Sequence, residues 1–523
     1  MPKYASASSA PGFYPAGHWV AANQPLSLIY PLADGVTNAN ARHRWAYYDG
    51  VHAIQYQIPI VALGGSYPYV FAVDASSAAI GMTIGAVWGS PNYGVLTWSP
   101  SGSVTNQSVT VTITDQQLNT VQAVFTVSTS SATAHFVFLD AASGSDSGTG
   151  TYSAPWQTLP KAFGSSFAAT GAGAGAICYM KATGTYSSAG LAWTDNDINT
   201  VQHLFEMNVT QKPIAMIGLG GQAKIDWTSG VQGIAIGDSA SDFFIANLNP
   251  DGWSANMTNQ YWVYLASSGG PTRFTEWNVT WTNSGYGSTG DSVASPHTAS
   301  NIDRGNTMRS YIALLNFSEP NRKSGQPGNN YAGFCFYTCQ YWVADGFSIN
   351  NPSAIYDAVC YAKGTNQNFE NRNHYINVTS GGVGGVCTTP GFYIPGELTS
   401  TSGEVRYCCM GQNATGAVQR IGTQTGTYGR FYLNRNTLIG YFDNEFGGTA
   451  FYTNNVVQTT ATPFPLSASS TLSGNVTATS GIINPATLQL QGSALSSVGM
   501  VGAQIAPASS AATPAAPLNL RVT

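Results

Sequence analysis

The feature that most constrains the fold is a long series of short apolar strands, each ending at Gly, Asn, Ser or Thr. The series runs from near Tyr179 to about Pro485, with strands roughly 15 to 35 residues apart. Examples are ICYMKA, FFIANL, FTEWNVTWT, YWVADGFSI and RFYLNRNTLI. This spacing suits a solenoid of stacked β-coils with variable loops on one edge. Asn recurs at the strand ends, where it can bond to neighbouring coils and tolerate a left-handed backbone.

The segment just before this series predicts how the solenoid begins. A strand FVFLD leads into the turn GSDSGTG, the segment PWQTLPKAF and a strand ending in GTY. A solenoid has an open N-terminal end, and a short amphipathic helix bearing Trp156, Leu159, Ala162 and Phe163 can cover it.

The same segment resembles the opening of right-handed parallel β-helix proteins of the pectate-lyase-like group. The matching residues are Gly144, Ser145, Asp146, Gly148, Pro155, Trp156, Thr158, Leu159, Ala162, Gly184, Thr185 and Tyr186. The resemblance implies the fold and says little about chemistry, because this fold hosts lyases, hydrolases, epimerases and binding proteins.

Residues 51–128 show a different pattern, in which apolar and polar residues alternate along successive strands. The segment VTVTITDQQLNTVQAVFTV predicts a hairpin with Val109, Val111 and Ile113 on one side. The region resembles the Ig-like modules of bacterial and phage proteins, which act as spacers or adhesive elements. The matching residues include Gly64, Gly65, Pro68, Tyr69, Phe71, Val73, Gly81, Gly94, Leu96, Trp98, Pro100 and Asp115.

These patterns predict an all-β chain, with an N-terminal Ig-like β-sandwich followed by a right-handed parallel β-helix solenoid. Residues 1–50 lack periodicity and are expected to form an N-terminal arm, either flexible or ordered against a partner. The sandwich is assigned to residues 51–128 and the β-helix to residues 136–485. Residues 486–523 are expected to form a Pro/Ala-rich C-terminal tail.

Composition narrows the function classes. Only 8% of the residues are charged and the formal net charge is -5, which argues against nucleic-acid binding through phosphate contacts. No apolar run approaches the ~20 residues of a membrane span. The N-terminus lacks the apolar region of a secretory signal peptide. The 7 cysteines are odd in number and several lie in apolar strands, so reduced core thiols are expected, and neither a metal nor a cofactor is.

One group of charged residues is a candidate catalytic cluster. Asp357, Lys363, Glu370, Arg372 and His374 fall in consecutive predicted coils, close to Asp345. If Phe369 points inward, alternation places Glu370, Arg372 and His374 on the outer face. Together they could supply an acid, a cation and a base. The alternative is a set of solvated polar residues with a weak ion pair.

Two further candidate groups are smaller. Asp443 and Glu445 lie two residues apart in YFDNEFGG, which puts both carboxylates on one face of an extended segment. Several Trp residues crowd into adjacent coils and could stack on sugars, unless they fill the core. The candidate glycan-binding residues are Trp253, Trp262, Trp277 and Trp281.

The combination is most similar to phage tail-spike, tail-fibre or decoration proteins. This resemblance implies a virion protein, made in the host cytoplasm and carried on an extracellular particle, that binds bacterial surface polysaccharide and contacts other virion proteins. It also implies a homo-oligomer, although no coiled-coil heptad is present. Two alternatives remain on the same fold: a polysaccharide lyase or glycoside hydrolase, and a purely structural virion subunit. The sequence leaves open whether any catalysis occurs.

Overall fold

The computed structural model describes residues 3–4, 24–32, 40–66, 69–86, 93–164, 171–191, 205–206, 213–227, 234–236, 242–252, 263–265, 273–283, 297–300, 308–320, 334–337, 339–350, 360–363, 367–377, 392–394, 402–406, 408–411, 417–421, 430–444, 449–464, 471–491 and 505–506. Their regular structure is predominantly β-strand. The helical segments are the 3-10 helix Arg42–Arg44 and the α-helices α1 (Ala75–Ala79) and α2 (Leu159–Phe163). In this part of the chain, no helix is long and apolar enough to cross a bilayer.

An N-terminal module, residues 24–130, consists of two four-stranded sheets. After β1 (Lys3–Tyr4), the strands of the module are β2 (Ser27–Tyr30), β3 (Trp45–Tyr47), β4 (Tyr56–Leu63), β5 (Val70–Val73), β6 (Thr83–Ala86), β7 (Tyr93–Trp98), β8 (Gln107–Thr114) and β9 (Thr120–Ser130). One sheet has the order β2-β4-β7-β6 and the other β3-β9-β8-β5. The predicted hairpin is confirmed as β8 and β9, with Val109, Val111 and Ile113 buried.

The module includes residues that the sequence analysis assigned to the N-terminal arm. β2 pairs with β4, and β3 pairs with β9. In the segment that connects β2 to β3, the buried guanidinium of Arg42 donates a hydrogen bond to the carbonyl oxygen of Gln57 at 3.3 Å. The same group lies 4.9 Å from the ring centroid of Tyr56. The periodicity that reveals longer strands cannot be recognised in strands as short as SLIY and WAY.

The described strands between residues 136 and 478 form a stack of parallel coils, called the coil stack below. Its strands are β10 (Phe136–Leu139), β11 (Ile177–Lys181), β12 (Thr185–Ser187), β13 (Phe205–Glu206), β14 (Ala215–Leu219), β15 (Ala223–Asp226), β16 (Ile234–Ile236), β17 (Phe243–Asp251), β18 (Val263–Leu265), β19 (Phe274–Thr280), β20 (His297–Ser300), β21 (Met308–Ser318), β22 (Phe334–Tyr337), β23 (Cys339–Asp345), β24 (Ser348–Asn350), β25 (Cys360–Lys363), β26 (Gln367–Arg372), β27 (Tyr375–Asn377), β28 (Phe392–Ile394), β29 (Ser402–Arg406), β30 (Cys409–Gly411), β31 (Ala417–Ile421), β32 (Arg430–Asn434), β33 (Thr437–Ile439), β34 (Tyr441–Asn444), β35 (Thr449–Thr453), β36 (Val456–Gln458), β37 (Thr471–Ser473) and β38 (Val476–Ala478).

Strands of successive coils pair in parallel, and three sets of ladders run along the stack. The first ladder contains β10, β11, β14, β23, β26, β29, β32, β35 and β37, and the second contains β12, β15, β24, β27, β30, β33, β36 and β38. The long strands β17, β19 and β21 belong to both, so the two ladders form one 20-stranded sheet. A third set pairs β20, β22, β25, β28, β31 and β34. This arrangement is consistent with a parallel β-helix.

Both faces of the first ladder are largely buried from β10 to β29, whereas the last strand of the ladder, β37, is exposed. In β10, Val137 and Leu139 point into the interior of the coil stack, whereas Phe136 and Phe138 belong to the apolar cluster of the N-terminal module. The ring of Tyr47 lies 5.5 Å from that of Phe136 and 5.0 Å from that of Phe138, in edge-on contacts. The N-terminal module therefore covers the outer face of this ladder as far as β29. Strands buried on both faces read as continuous apolar runs, as FVFL does.

The predicted helix at the start of the stack is confirmed as α2. Leu159, Ala162 and Phe163 are buried in the interior cluster, and the hydroxyl of Thr158 caps the helix by accepting from the Lys161 amide. The carboxylate of Asp146, from the GSD turn, accepts hydrogen bonds from the Thr158 hydroxyl at 2.7 Å and from the Thr158 amide at 3.1 Å. The turn therefore fixes the start of the helix that closes the stack.

The corner between the first and second ladders is a column of residues with a left-handed backbone. Successive coils place Asn247, Asn278, Asn316, Gly346, Asn373, Arg435, Asn454 and Gly474 there, and each has a φ between 48° and 81°. Asn and Gly adopt this conformation at the lowest cost. The Asn278 amide donates to the Asn247 side-chain oxygen at 2.6 Å, and the Asn316 amide donates to that of Asn278 at 2.8 Å. The stacking of Asn expected at coil corners is therefore present.

The outer face of the second ladder is exposed in the early coils and covered in the later ones. In the later coils it is covered by a C-terminal hairpin of β39 (Ile483–Asn484) and β40 (Gln489–Leu490), whose Ile483, Leu488 and Leu490 are buried. The side-chain oxygen of Gln458 accepts hydrogen bonds from the amides of Ile482 and Ile483 at 3.0 Å. The last strand described, β41 (Ile505–Ala506), pairs with β1.

The corner column generates a prediction about Asn278. Asn278→Ala should lower the free energy of unfolding by about 2–4 kcal/mol, because it removes two buried hydrogen bonds and strains a left-handed residue. Asn278→Gly should cost about 1 kcal/mol less, because glycine adopts this conformation freely. Denaturant unfolding of both variants measures the difference. Equal losses would show that the left-handed backbone carries no cost at this corner.

Candidate functional site

The predicted catalytic cluster lies at the contact between the N-terminal module and the coil stack. Alternation along β26 is as the sequence predicts: Phe369 stacks on Trp342 in the interior, with ring centroids 4.5 Å apart, and Glu370 and Arg372 point outward. Both charged side chains are nevertheless fully buried, at 0% exposure. They face residues 62–65 at the end of β4, so the predicted outer face is an interdomain contact.

Five buried charged side chains form this contact, and they are called the interdomain charge network: Asp345, Glu370, Arg372, Glu404 and Arg406. The Arg372 guanidinium donates to Asp345 at 2.7 Å and to Glu370 at 2.6 Å. The Arg406 guanidinium donates to the other oxygen of Glu370, and its second terminal nitrogen lies 3.9 Å from Glu404. Glu370 is therefore held between two guanidinium groups.

The same side chains bind the backbone of the N-terminal module. Arg372 donates to the Ala62 carbonyl at 3.0 Å, and Arg406 donates to the carbonyls of Gly65 at 3.3 Å and Gly64 at 3.4 Å. In return, the Gly64 amide donates to Glu370 at 3.1 Å. Gly64 has a φ of 76°, and an added Cβ would lie 2.3 Å from the Pro25 carbonyl oxygen, so the turn requires glycine. The network thus fastens the two parts of the chain together.

In-register stacking assembles the network. Asp345 pairs with Arg372 and Arg372 with Arg406 in one column, while Glu370 pairs with Glu404 in the column two residues away. Alternation puts both columns on one face, and neighbouring parallel strands lie only about 4.8 Å apart. Asp345 and Arg372 are an in-register pair of opposite charge, whereas the in-register pairs Glu370–Glu404 and Arg372–Arg406 carry like charges, and Glu370 is neutralised by Arg372 and Arg406 from the adjacent column. Burial raises the pKa of Asp345, although the Arg372 guanidinium opposes this shift.

The prediction that His374 lies on the outer face is wrong, because its ring contacts Phe317 and Phe347 of the interior cluster. His374 occupies the column that contains Asn436, Asn455 and Asn475 two, three and four coils later. Its Nδ1 accepts a hydrogen bond from the Phe347 amide at 3.0 Å, just as the Asn436 side-chain oxygen accepts from the Cys408 amide at 3.1 Å. Burial, with a contribution from the Arg372 cation, lowers the pKa of His374 well below its ordinary value. His374 is therefore a neutral structural residue, out of reach of solvent.

The remaining predicted residues do not converge on this place. Lys363 in β25 and Asp443 in β34 belong to the third set of ladders, apart from Glu370 in the first. The predicted residues Asp357 and Glu445 lie outside the described part of the chain, as do Trp253 and Trp262.

The two described tryptophans of the candidate glycan shelf are core residues. Trp277 is 2% exposed and lies under the N-terminal module, and Trp281 is 0% exposed in the interior of the stack. The Trp281 indole donates to the Gly252 carbonyl at 3.2 Å, and its ring makes an edge-on contact with Trp227, with centroids 6.3 Å apart. Buried rings of this kind stabilise the core and offer no face to a sugar.

Sequence reasoning missed a polar surface on the second ladder, in the coils that the C-terminal hairpin does not cover. This open polar face consists of Thr185, Ser187, Lys224, Asp226, Asn249, Asp251, Thr280, Thr282 and Ser318, all partly or fully exposed. The residues between them, such as Ile225 and Trp227, point into the core. The alternation in AKIDW and NVTWT was the available signal.

The side chains of the open polar face form two columns. Thr185 pairs with Lys224 and Lys224 with Asn249; Ser187 pairs with Asp226 and Asp226 with Asp251. Hydrogen bonds link the columns and the coils: Thr282 donates to Asn249 at 3.0 Å, and Ser318 donates to Thr280 at 3.1 Å. The Asp251 carboxylate accepts from Asn283 at 2.6 Å. The result is a two-column array of hydroxyl, amide and carboxylate groups with one ammonium group, that of Lys224.

Comparison with known proteins identifies no relative of this chain, and its described residues contain no candidate metal site. Neither the protein-family models nor the curated proteins compared with this sequence give a match. Within the described residues, no group of three or more His, Cys, Asp or Glu side chains is placed to hold a metal ion.

The interdomain charge network predicts a large cost for removing one guanidinium. Arg372→Met should lower the free energy of unfolding by about 3–5 kcal/mol, because it leaves the buried carboxylates of Asp345 and Glu370 short of a partner. The exposed Lys224→Met is the control and should cost less than about 0.5 kcal/mol. Denaturant unfolding compares the two. A loss at Arg372 no larger than that at Lys224 would show that the network does not stabilise the fold.

Proposed function

We propose that this chain is a virion protein of the phage tail-spike, tail-fibre or decoration type, which binds bacterial surface polysaccharide through the open polar face of a right-handed, pectate-lyase-like β-helix. Its N-terminal module acts as an Ig-like support, and the particle carries it as a homo-oligomer in contact with other virion proteins. The observation that carries the proposal is the two-column array of the open polar face.

The chemistry of this face favours a glycan. Hydroxyl groups both donate and accept hydrogen bonds, as sugar hydroxyls do, and the Asn249 amide adds a donor pair. None of its nine residues is a large apolar side chain of the kind that anchors most protein interfaces. With Lys224 against Asp226 and Asp251, the face has a formal net charge of -1, which opposes polyanionic polymers and favours neutral ones.

The burial of the predicted catalytic residues Glu370, Arg372 and His374 favours binding over catalysis. A general acid or base must come within hydrogen-bond reach of the substrate. Glu370, Arg372 and His374 are buried, and the first two are engaged with each other and with the backbone of the N-terminal module. Their role is to hold the scaffold that presents the binding face.

The proposal predicts that removing hydroxyl groups from the face weakens polysaccharide binding. The double variant Thr280→Val, Ser318→Ala should lose tenfold or more in affinity, because each net hydrogen bond contributes about 0.5–1.5 kcal/mol. Thr112→Val, Thr114→Val, on the strand β8 of the N-terminal module, is the matched control and should bind normally. Binding of purified proteins to capsule, exopolysaccharide and lipopolysaccharide from candidate hosts measures the effect. Retention of no polymer by the wild type would favour the purely structural subunit.

A glycoside hydrolase is the second candidate, and a pair of carboxylates favours it. Asp226 and Asp251 are in register on the open polar face. Their strands are about 4.8 Å apart, a backbone spacing that allows the two carboxyl groups to adopt the roughly 5–5.5 Å separation of a retaining hydrolase.

The hydrolase candidate predicts that the purified protein shortens a polysaccharide and releases new reducing ends. Asp226→Asn and Asp251→Asn should then each reduce the rate by about a hundredfold or more, because both carboxylates take part in the reaction. The Thr112→Val, Thr114→Val variant should retain the wild-type rate. A polymer that is bound at unchanged length would exclude this candidate, and unsaturated uronate absorbance would indicate a lyase.

A further inference from the structure

The interdomain charge network contains one more acid than base. Asp345, Glu370 and Glu404 contribute three carboxyl groups, and Arg372 and Arg406 contribute two guanidinium groups. All five side chains are at most 4% exposed. A buried charge without a partner is costly, and an acid in that position tends to keep its proton.

The contacts single out Glu404 as the acid that lacks a close cation. Asp345 and both oxygens of Glu370 accept short hydrogen bonds from guanidinium groups. Glu404 lies 3.9 Å from Arg406, and one of its oxygens accepts from the neutral amide of Asn434. Both guanidinium groups are already engaged with Glu370 and with backbone carbonyls of the N-terminal module.

Other charged or titratable groups face this site from each packed element. The neighbours on the coil stack are Asp345 of β23, Glu370 and Arg372 of β26, Arg406 of β29, which also carries Glu404, and Tyr432 of β32. The Tyr69 hydroxyl of the N-terminal module accepts from Arg406, and Tyr93, His374 and Asp115 lie further out. Asp115 is held by the Ser66 amide at 3.0 Å and by the amides of Gln117 and Asn119 at 2.9 Å. Among the described residues, the cations are the same two guanidinium groups.

We propose that the interdomain charge network is a proton-operated clasp, in which Glu404 holds a proton while the N-terminal module is docked and its ionisation weakens the docking. Ionised Glu404 attracts the Arg406 guanidinium away from the Gly64 and Gly65 carbonyls, which that guanidinium otherwise binds. The clasp is independent of any ligand on the open polar face.

The direction of the pH dependence follows from the environment of Glu404. Burial raises the pKa of Glu404 from 4.5 to about 7, and the nearby Glu370 carboxylate adds to this shift. The Arg406 and Arg372 cations and the hydrogen bond from the Asn434 amide oppose it. When the module lifts, water reaches the carboxyl and its pKa falls back towards the ordinary value of 4.5. The docked form therefore binds more protons between these values. Docking is strongest below the lower pKa, weakens as pH rises through this window, and levels off above about pH 7.

Hydrogen exchange at the end of β4 tests the clasp. The Gly64 amide donates to Glu370 and is exposed only when the module lifts. In the wild type, protection of residues 61–66, corrected for intrinsic exchange rates, should fall about a hundredfold between about pH 5 and about pH 8. Protection of strand β15, on the second ladder and outside the area that the module covers, should stay constant over the same range. Wild-type protection that does not change with pH would overturn the clasp without any variant.

Two variants assign the effect to Glu404. Glu404→Gln removes the titrating proton and keeps the shape, so the protection of residues 61–66 should become independent of pH. Glu404→Asp keeps a titrating carboxyl and should retain the pH dependence, with a shifted midpoint. Circular dichroism at about pH 5 establishes that each variant is folded before exchange is measured. If the protection of Glu404→Gln depends on pH as that of the wild type does, the assignment to Glu404 is overturned. If Glu404→Gln does not fold, the pH midpoint of Glu404→Asp decides. A midpoint equal to that of the wild type would then overturn the assignment.

Discussion

In-register parallel stacking is the constraint on which the rest of the structure depends. Each coil lies about 4.8 Å from the next, so a residue meets its counterpart in every neighbouring coil. Asn residues in one column bond to each other, as Asn247, Asn278 and Asn316 do. Rings in one column stack, as Trp342 does on Phe369. Like charges in one column must be neutralised from the side, and that requirement produces the interdomain charge network.

The network joins parts of the chain that are far apart in sequence, and this changes the role of its residues. The Gly64 amide and Glu370 are 306 residues apart, yet they share a buried hydrogen bond. The N-terminal module removes the outer face of the first ladder from solvent as far as β29, while the C-terminal hairpin covers the later coils of the second ladder. The surface left open in the early coils is polar, and the proposed binding function belongs to that surface.

Local features of the fold could be predicted from the sequence because short-range chemistry fixes them. The helix α2 follows from an amphipathic segment with a Thr cap, and the corners follow from residues that tolerate a left-handed backbone. Alternation also placed Glu370 and Arg372 on the outer face correctly. Periodicity could not reveal that this face is covered. Alternation shows which side chains point into the coil and which point out of it, but not whether an outward side chain meets water or a second part of the chain.

The sequence by itself determined many of the longer strands, the corners and the cap of the stack, since all of these depend on residues a few positions apart. Only the tertiary structure decided which outer face is buried, which charges pair, and which polar columns meet solvent, because these depend on packing between distant segments. For that reason Trp281, Glu370 and His374 became structural residues, whereas Asp226 and Asp251, which no motif marked, came to lie side by side on an open surface.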